Sequence, residues 1–153
     1  MIRLFLVLHV LGAIVAVGFS LSYACWLARG NATGAAERAF ALRTISWIDR
    51  RVTTPAYVLQ LVTGLVLVGM LGLDIFQQAW LKVSVGLYVI LTVLAITRFA
   101  PAHRRQTALA QRLAGGEDVT TAYGEAAREA AQWGRGVVAL TLAIVVLMVT
   151  KPI

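Results

Sequence analysis

The 153 residues make one domain by length, and 59% of them are hydrophobic while only 14% are charged, against about half and about a quarter in ordinary soluble domains. So apolar a chain excludes disorder, and it excludes a soluble globule, whose interior is too small to hide that much hydrocarbon. With a mean hydropathy of +0.80, the net charge of +7 is to be read as membrane topology before any nucleic-acid partner is invoked.

Four stretches are apolar enough to span. Leu4 to Ala28 carries no charge, and at about 1.5 Å per residue it exceeds a hydrocarbon core of about 30 Å. It is too long for the hydrophobic region of a cleaved signal and ends without a small-x-small site, so a retained helix is expected. Cys25 then reads as a small core residue. The second stretch runs from Val52 to Leu73, with Pro55 tolerated in its first turn. A tight turn around Gly72-Leu73-Asp74 follows. The third is uncharged between Lys82 and Arg98, reaches back through Trp80 to about Ile75 if the lysine snorkels, and is expected to stop at Pro101. The fourth lies between Arg135 and Lys151, with Trp80 and Trp133 as interfacial anchors for the two shorter spans.

The predicted helices are therefore about 4–28, 52–73, 75–99 and 134–150, in a single transmembrane domain covering 1–153, with connections 29–51 and 100–133. Ala35 to Asp49 suits a helix at the interface or extending from the membrane, Gly115-Gly116 breaks the second connection, and Thr120 to Gln132 suits a helix that leads into the fourth span. Eleven of the 14 basic residues fall in or beside these two connections, leaving Arg3, Lys82 and Lys151 at the other side. By the positive-inside rule the connections are cytoplasmic. The fold class expected is an all-α, four-helix antiparallel bundle in a bacterial inner membrane, with both termini on the non-cytoplasmic side. Each half repeats the pattern of span, arginine-rich connection and span, as any such four-helix protein must.

His9 is the one histidine inside a span. It shares a helical face with Gly12, Ala13, Ala16, Ser20 and Tyr23, whereas Leu11, Ile14, Val15 and Leu21 point elsewhere, so it is expected to face the bundle. Such a group is either a ligand or a neutral partner in an interhelical hydrogen bond. Lys82, Met70 and Met148 fall at the same depth in an antiparallel bundle. Imidazole and thioether are axial haem ligands and also suit Cu(I), and the lysine would pair with a haem propionate or an anionic substrate. Tyr57, Gln60 and Gly64 form a stripe on helix two that reads as interhelical hydrogen bonding. Asp49, Arg50 and Arg51 read as a solvated cluster facing lipid phosphates. His103 lies a membrane's width from His9 and cannot join it in one subunit. No soluble catalytic motif is present, and Asn31-Ala32-Thr33 is a glycosylation pattern on the cytoplasmic side.

Leu8-His9-Val10-Leu11-Gly12, together with Trp80-Leu81-Lys82 leading to Thr97-Arg98 and Pro101, resembles the bacterial integral membrane family called domain of unknown function 2269. The same residues are distantly similar to HemJ-type protoporphyrinogen oxidases and CopD-type copper-resistance proteins. The HemJ resemblance implies haem b, with its early-helix histidine and helix-three lysine carried onto His9 and Lys82. Departures are visible, since Ser20 to Arg29 holds neither the proline nor the second histidine of the HemJ type, and no methionine-rich segment supports copper transport.

Three functions follow as expectations. One is a haem b-binding membrane redox protein, with His9 on the iron and Lys82, Met70 and Met148 beside it. Another is a non-enzymatic scaffold or accessory subunit in which His9 and Lys82 only knit helices. The last is copper handling through His9, Met70 and Met148. The partners expected are membrane lipid and either a second copy or another membrane protein, with no nucleic acid.

Overall fold

The computed structural model describes residues 1–151. Four long helices fill them, and no strand occurs among the described residues. Helix α1 is Ile2–Thr33. Helix α2 runs from Ala35 to Met70, α3 from Ala79 to Ala114 and α4 from Thr120 to Thr150, and all four are long and apolar enough to cross a membrane. The 36 residues of α2 and of α3 measure about 54 Å, so each outreaches a hydrocarbon core of about 30 Å by more than 20 Å. The two predicted connections are thus helical extensions of the spans.

Gly34 alone joins α1 to α2, at φ 158°. The approach is close: a Cβ on Gly30 would stand 3.0 Å from the Ala41 Cβ and 3.1 Å from the Arg38 Cα. Any larger residue at Gly30 would wedge the hairpin open.

Each of the two middle helices contains a π turn, Asp49–Thr53 in α2 and Ala95–Phe99 in α3. Their cause lies a few residues on. Proline offers no N–H, and its ring crowds the carbonyl four residues back. Widening the preceding turn, so that Thr54 N–H reaches the Asp49 carbonyl and Ala100 N–H the Ala95 carbonyl, lets each helix pass its proline intact. Pro101 therefore does not stop the third helix, contrary to expectation. Pro55 opens the α segment Thr54–Met70 but stands inside a longer helix.

The connection between α2 and α3 is also longer than the three-residue turn expected, and α3 starts at Ala79 rather than Ile75. Asp74 holds the intervening turn. Its Oδ1 accepts the Phe76 N–H at 2.8 Å and its carbonyl the Gln78 N–H at 3.0 Å. A side chain that bonds the backbone two residues on competes with helix formation there.

Helix α1 packs along α2, α3 along α4, and Ala35–Ile48 against Ala100–Ala114, while α1 touches α4 only lightly. The best-packed core lies at the arginine-rich end, where Ala39, Leu42, Leu109, Ala110, Tyr123 and Ala126 form one buried cluster. Alanines at helical spacing allow the close approach, and Leu42, with no exposed surface, fills the centre. In the spans small or polar residues, among them Gly12, Ala16, Ala56, Thr63, Ser84 and Thr141, are buried beside a few large apolar ones, Leu67, Leu81, Leu91 and Ile144. Leu4, Ile14, Val58, Val89 and Val149 face outward, more than half exposed. That surface would be sticky in water and is the ordinary surface of a protein in hydrocarbon. Cys25 lies on it, exposed rather than in the core as expected.

Candidate functional site

His9 faces α2, as the small-residue stripe on α1 requires. With Gly12 and Ala16 buried and no Cβ on Gly64, the two backbones come close enough for the imidazole to lie between them. A Cβ on Gly64 would stand 3.0 Å from the His9 Cε1. The ring's Nδ1 is 2.9 Å from the Gln60 carbonyl oxygen and 3.1 Å from the Thr63 Oγ1. A carbonyl only accepts, so Nδ1 carries the proton and Nε2 the lone pair. Thr63 Oγ1 in turn donates to the Leu59 carbonyl at 2.7 Å.

Two turns further along α2, Tyr57 gathers the other helices. Its hydroxyl is 3.2 Å from the Ser20 Oγ of α1 and 3.3 Å from the Thr141 Oγ1 of α4, and its carbonyl accepts the Tyr88 hydroxyl of α3 at 2.8 Å. All four helices meet there through hydrogen bonds. A cavity of about 10 Å³ opens beside it, lined in part by Tyr57, Gln60, Tyr88 and Thr141. One turn beyond, the Tyr23 hydroxyl and the Thr53 Oγ1 are 2.6 Å apart. Sequence reasoning found His9, Ser20, Tyr23, Tyr57, Gln60 and Gly64. It missed Thr53, Thr63, Tyr88 and Thr141. The first two were recoverable, since they continue the Tyr57-Gln60 stripe by three or four residues. Tyr88 and Thr141 are lone polar residues in apolar runs, and only tertiary packing brings them to Tyr57.

The other predicted ligands do not gather round His9. Lys82 is exposed and makes no ion pair among the described residues. Met70 is exposed at the end of α2, and Met148 is half-buried on α4. The Lys151 Nζ lies 5.5 Å from the centre of the Trp80 ring, and Arg98 sits likewise over Trp133 at 5.6 Å. Among the described residues no three His, Cys, Asp or Glu side chains come together as a metal site.

A family model, described as a predicted integral membrane protein (DUF2269), matches residues 3–152 and so takes in the whole bundle. The chain belongs to the DUF2269 family. No curated protein and no solved structure matches it, so the expected likeness to HemJ and CopD types finds no support there.

Further polar groups of the DUF2269 bundle are wholly or partly buried at the arginine-rich end, outside the uncharged parts of the helices. Asp49 is half-buried while Arg50 and Arg51 are exposed, so the expected solvated cluster is only partly solvated. Burial raises the Asp49 carboxyl above its ordinary value, against a hydrogen bond from Thr54 and the charge of Arg50. His103 takes no part with His9. Its Nε2 lies 3.0 Å from the Ser46 Oγ, its ring stacks on Phe99, and burial lowers its pKa. The Arg38 guanidinium lies 5.0 Å from the centre of the Tyr123 ring, with its Nε buried and unpartnered.

Proposed function

We propose that the protein is a non-enzymatic accessory or scaffold subunit of a bacterial inner membrane, an antiparallel four-helix bundle with both termini outside. One observation carries this reading: His9 and the other buried or half-buried polar side chains inside the spans serve helix-to-helix contacts. His9 ties α1 to α2, and Tyr57 ties α2 to α1, α3 and α4. Interhelical hydrogen bonds of this kind contribute about 0.6 to 2 kcal/mol each in a bilayer, enough to fix helix register without chemistry. The orientation is supported by the eleven basic residues in and beside the two connections, which the positive-inside rule keeps in the cytoplasm. The outward apolar side chains are the surface offered to lipid, to a second copy or to a partner membrane protein. Under this reading, protein purified after haem-supplemented expression shows no Soret band, His9→Ala lowers thermal stability, and a membrane protein co-purifies in mild detergent. A stoichiometric Soret band would overturn it.

A second reading, haem b binding for membrane redox chemistry, is favoured by the His9 tautomer. An Nδ1–H held by a carbonyl is how proteins orient a histidine whose Nε2 ligates a metal. The donor chemistry at His9 thus fits a haem iron, and the haem would supply electron transfer. The rest of the expected set fits less well, since Lys82 is exposed and Met70 lies at the lipid-facing end of α2. A Soret band that disappears in His9→Ala but survives Lys82→Ala is this reading's signature. Copper handling by His9, Met70 and Met148 has no comparable supporting contact.

A further inference from the structure

Four exposed arginines mark one height on the bundle. Ser46 of α2 and His103 of α3 pair at 3.0 Å. Arg51 lies five residues from Ser46 and Arg98 five residues from His103, both toward the uncharged spans, so the two stand level, with Arg50 beside them. Arg98 lies over the Trp133 ring, which sets Arg135 at the same height on α4. Beyond these arginines the helical extensions form a head packed around Leu42. Its surface is uneven. On Ala100–Ala114 and the start of α4 it is charged, with Arg105 paired to Glu129 and Arg112 to Glu117, and no large apolar side chain is exposed there. Ala35–Ile48 instead exposes Phe40 and Trp47, each at 59%. Phe40, Arg43, Trp47 and Arg50 recur at three or four residues and share one face. That face turns away from the bundle, because Ala39, Leu42 and Ile45 are the buried positions of this segment. Among the described residues neither Arg43 nor Arg50 makes an ion pair.

We propose that this face of α2 docks an acidic, amphipathic segment of another protein, held close to the bilayer surface. The inference rests on the accessory-subunit reading and names the chemistry of the partner. Lipid does not cover the face. Phe40 stands ten residues from Arg50, about 15 Å, whereas the headgroup layer beyond the hydrocarbon is about 5 to 8 Å deep. Sinking the bundle far enough to bury Phe40 would drag Arg43 and Arg50 into hydrocarbon. A second copy does not cover it either. Two copies inserted the same way are related by an axis along the membrane normal, so equal residues meet at equal height. Arg43 would then face Arg43 and Arg50 face Arg50, with no carboxylate on the stripe to separate them. What fits is a surface that sets carboxylates against the two guanidinium groups and apolar side chains against the two aromatic rings. Aromatic side chains and arginine are the types that carry binding energy at protein interfaces, and guanidinium–carboxylate pairs fix the register.

The test places a single cysteine, Ala36→Cys, at the exposed end of the stripe in a Cys25→Ser background and reads its labelling by a hydrophilic maleimide. Open membrane sheets from the native cells are compared with purified protein in nanodiscs of phosphatidylethanolamine and phosphatidylglycerol. Thr121→Cys, exposed on α4, gives the reference rate in both. Ala36→Cys is expected to label at the reference rate in nanodiscs and about fivefold more slowly in the sheets. Adding Arg43→Glu, a change at an exposed position, is expected to restore the reference rate in the sheets. Slow labelling already in nanodiscs would mean that lipid covers the face, and a bismaleimide link between two copies of the chain that a second copy does; either overturns the proposal. Labelling at the reference rate in the sheets overturns it too, as does protection that survives in an Arg43→Glu variant melting with the wild type. The two readings fail separately, because a stoichiometric Soret band sinks the accessory-subunit reading, whereas an unprotected Ala36→Cys in colourless protein sinks the docking face alone.

Discussion

Gly64→Ala measures how tightly the His9 clamp is built. The added methyl would stand 3.0 Å from the imidazole Cε1 and 3.5 Å from Nδ1, inside ordinary carbon contact distance, so the ring must retreat by several tenths of an ångström. Its bonds of 2.9 Å to the Gln60 carbonyl and 3.1 Å to Thr63 then stretch toward or past the useful limit of about 3.2 Å. Such overpacking costs about 1 to 3 kcal/mol, offset by about 1 kcal/mol from replacing a helical glycine with alanine. The net loss expected is about 1 kcal/mol. In a His9→Ala background the ring is gone and only the propensity gain remains, so the same substitution should stabilise. Unfolding titrations in mixed micelles on the four corners of this cycle should return a coupling of about 2 kcal/mol. Gly69→Ala and Gly86→Ala, whose added methyls meet nothing within 4 Å, serve as references. A Gly64→Ala effect equal in both backgrounds would refute the clamp.

Three further outcomes follow from other parts of the bundle. Leu42→Ala, at a fully buried position in the arginine-rich core, should cost about 2 to 5 kcal/mol in the same titration, whereas Leu4→Ala, more than half exposed, should cost almost nothing in detergent. His103 has its folded pKa below the ordinary 6.5 because burial disfavours the cation; its contribution to stability is full above that value and is lost as pH falls through the folded pKa. The melting temperature should therefore drop on acidification below about pH 6.5, and His103→Gln should flatten that drop. Asp49 is the reverse case, with a carboxyl pKa raised by burial, so its stabilisation is full below the ordinary 3.8 and is lost as pH rises through the folded value. Asp49→Asn should accordingly melt higher than wild type at neutral pH.

The number of spans was legible because lipid imposes a coarse rule, that some twenty apolar residues must form a helix. The side of α1 that faces the bundle was legible too. Gly12 and Ala16 interrupt a run of large apolar residues at helical spacing, and they are buried while Leu11, Ile14 and Leu21 face out. Local rules failed where a neighbouring turn could compensate. Proline at 101 reads as a stop only if the turn before it stays α, and the π turn Ala95–Phe99 removes that condition. Asp74 shows the opposite failure, a side chain strong enough to hold Leu71–Gln78 out of the helix that hydropathy alone would extend to Ile75. Cys25 was misplaced because small size marks a packing face only when the residue falls on the stripe, and Cys25 does not.

Depth was a weaker guide than direction, and the reason bears on function. Residues at equal depth on four helices share a layer, but the layer has a rim as well as a centre. Lys82 and Met70 lie on the rim, whereas His9 and Thr63 face each other across α1 and α2. What the sequence did contain was the vertical relation, the three- and four-residue spacing that sets Asp49, Thr53, Tyr57, Gln60 and Thr63 one above another. In a membrane that relation is the more informative one, because a ligand site needs groups converging from several helices, whereas a seam that fixes one helix against its neighbour needs them stacked along one face. The arginine-rich core around Leu42 supports such a seam. By packing the helical extensions together, it holds α1 and α2 in register through spans whose facing sides are largely glycine, alanine and hydroxyl groups.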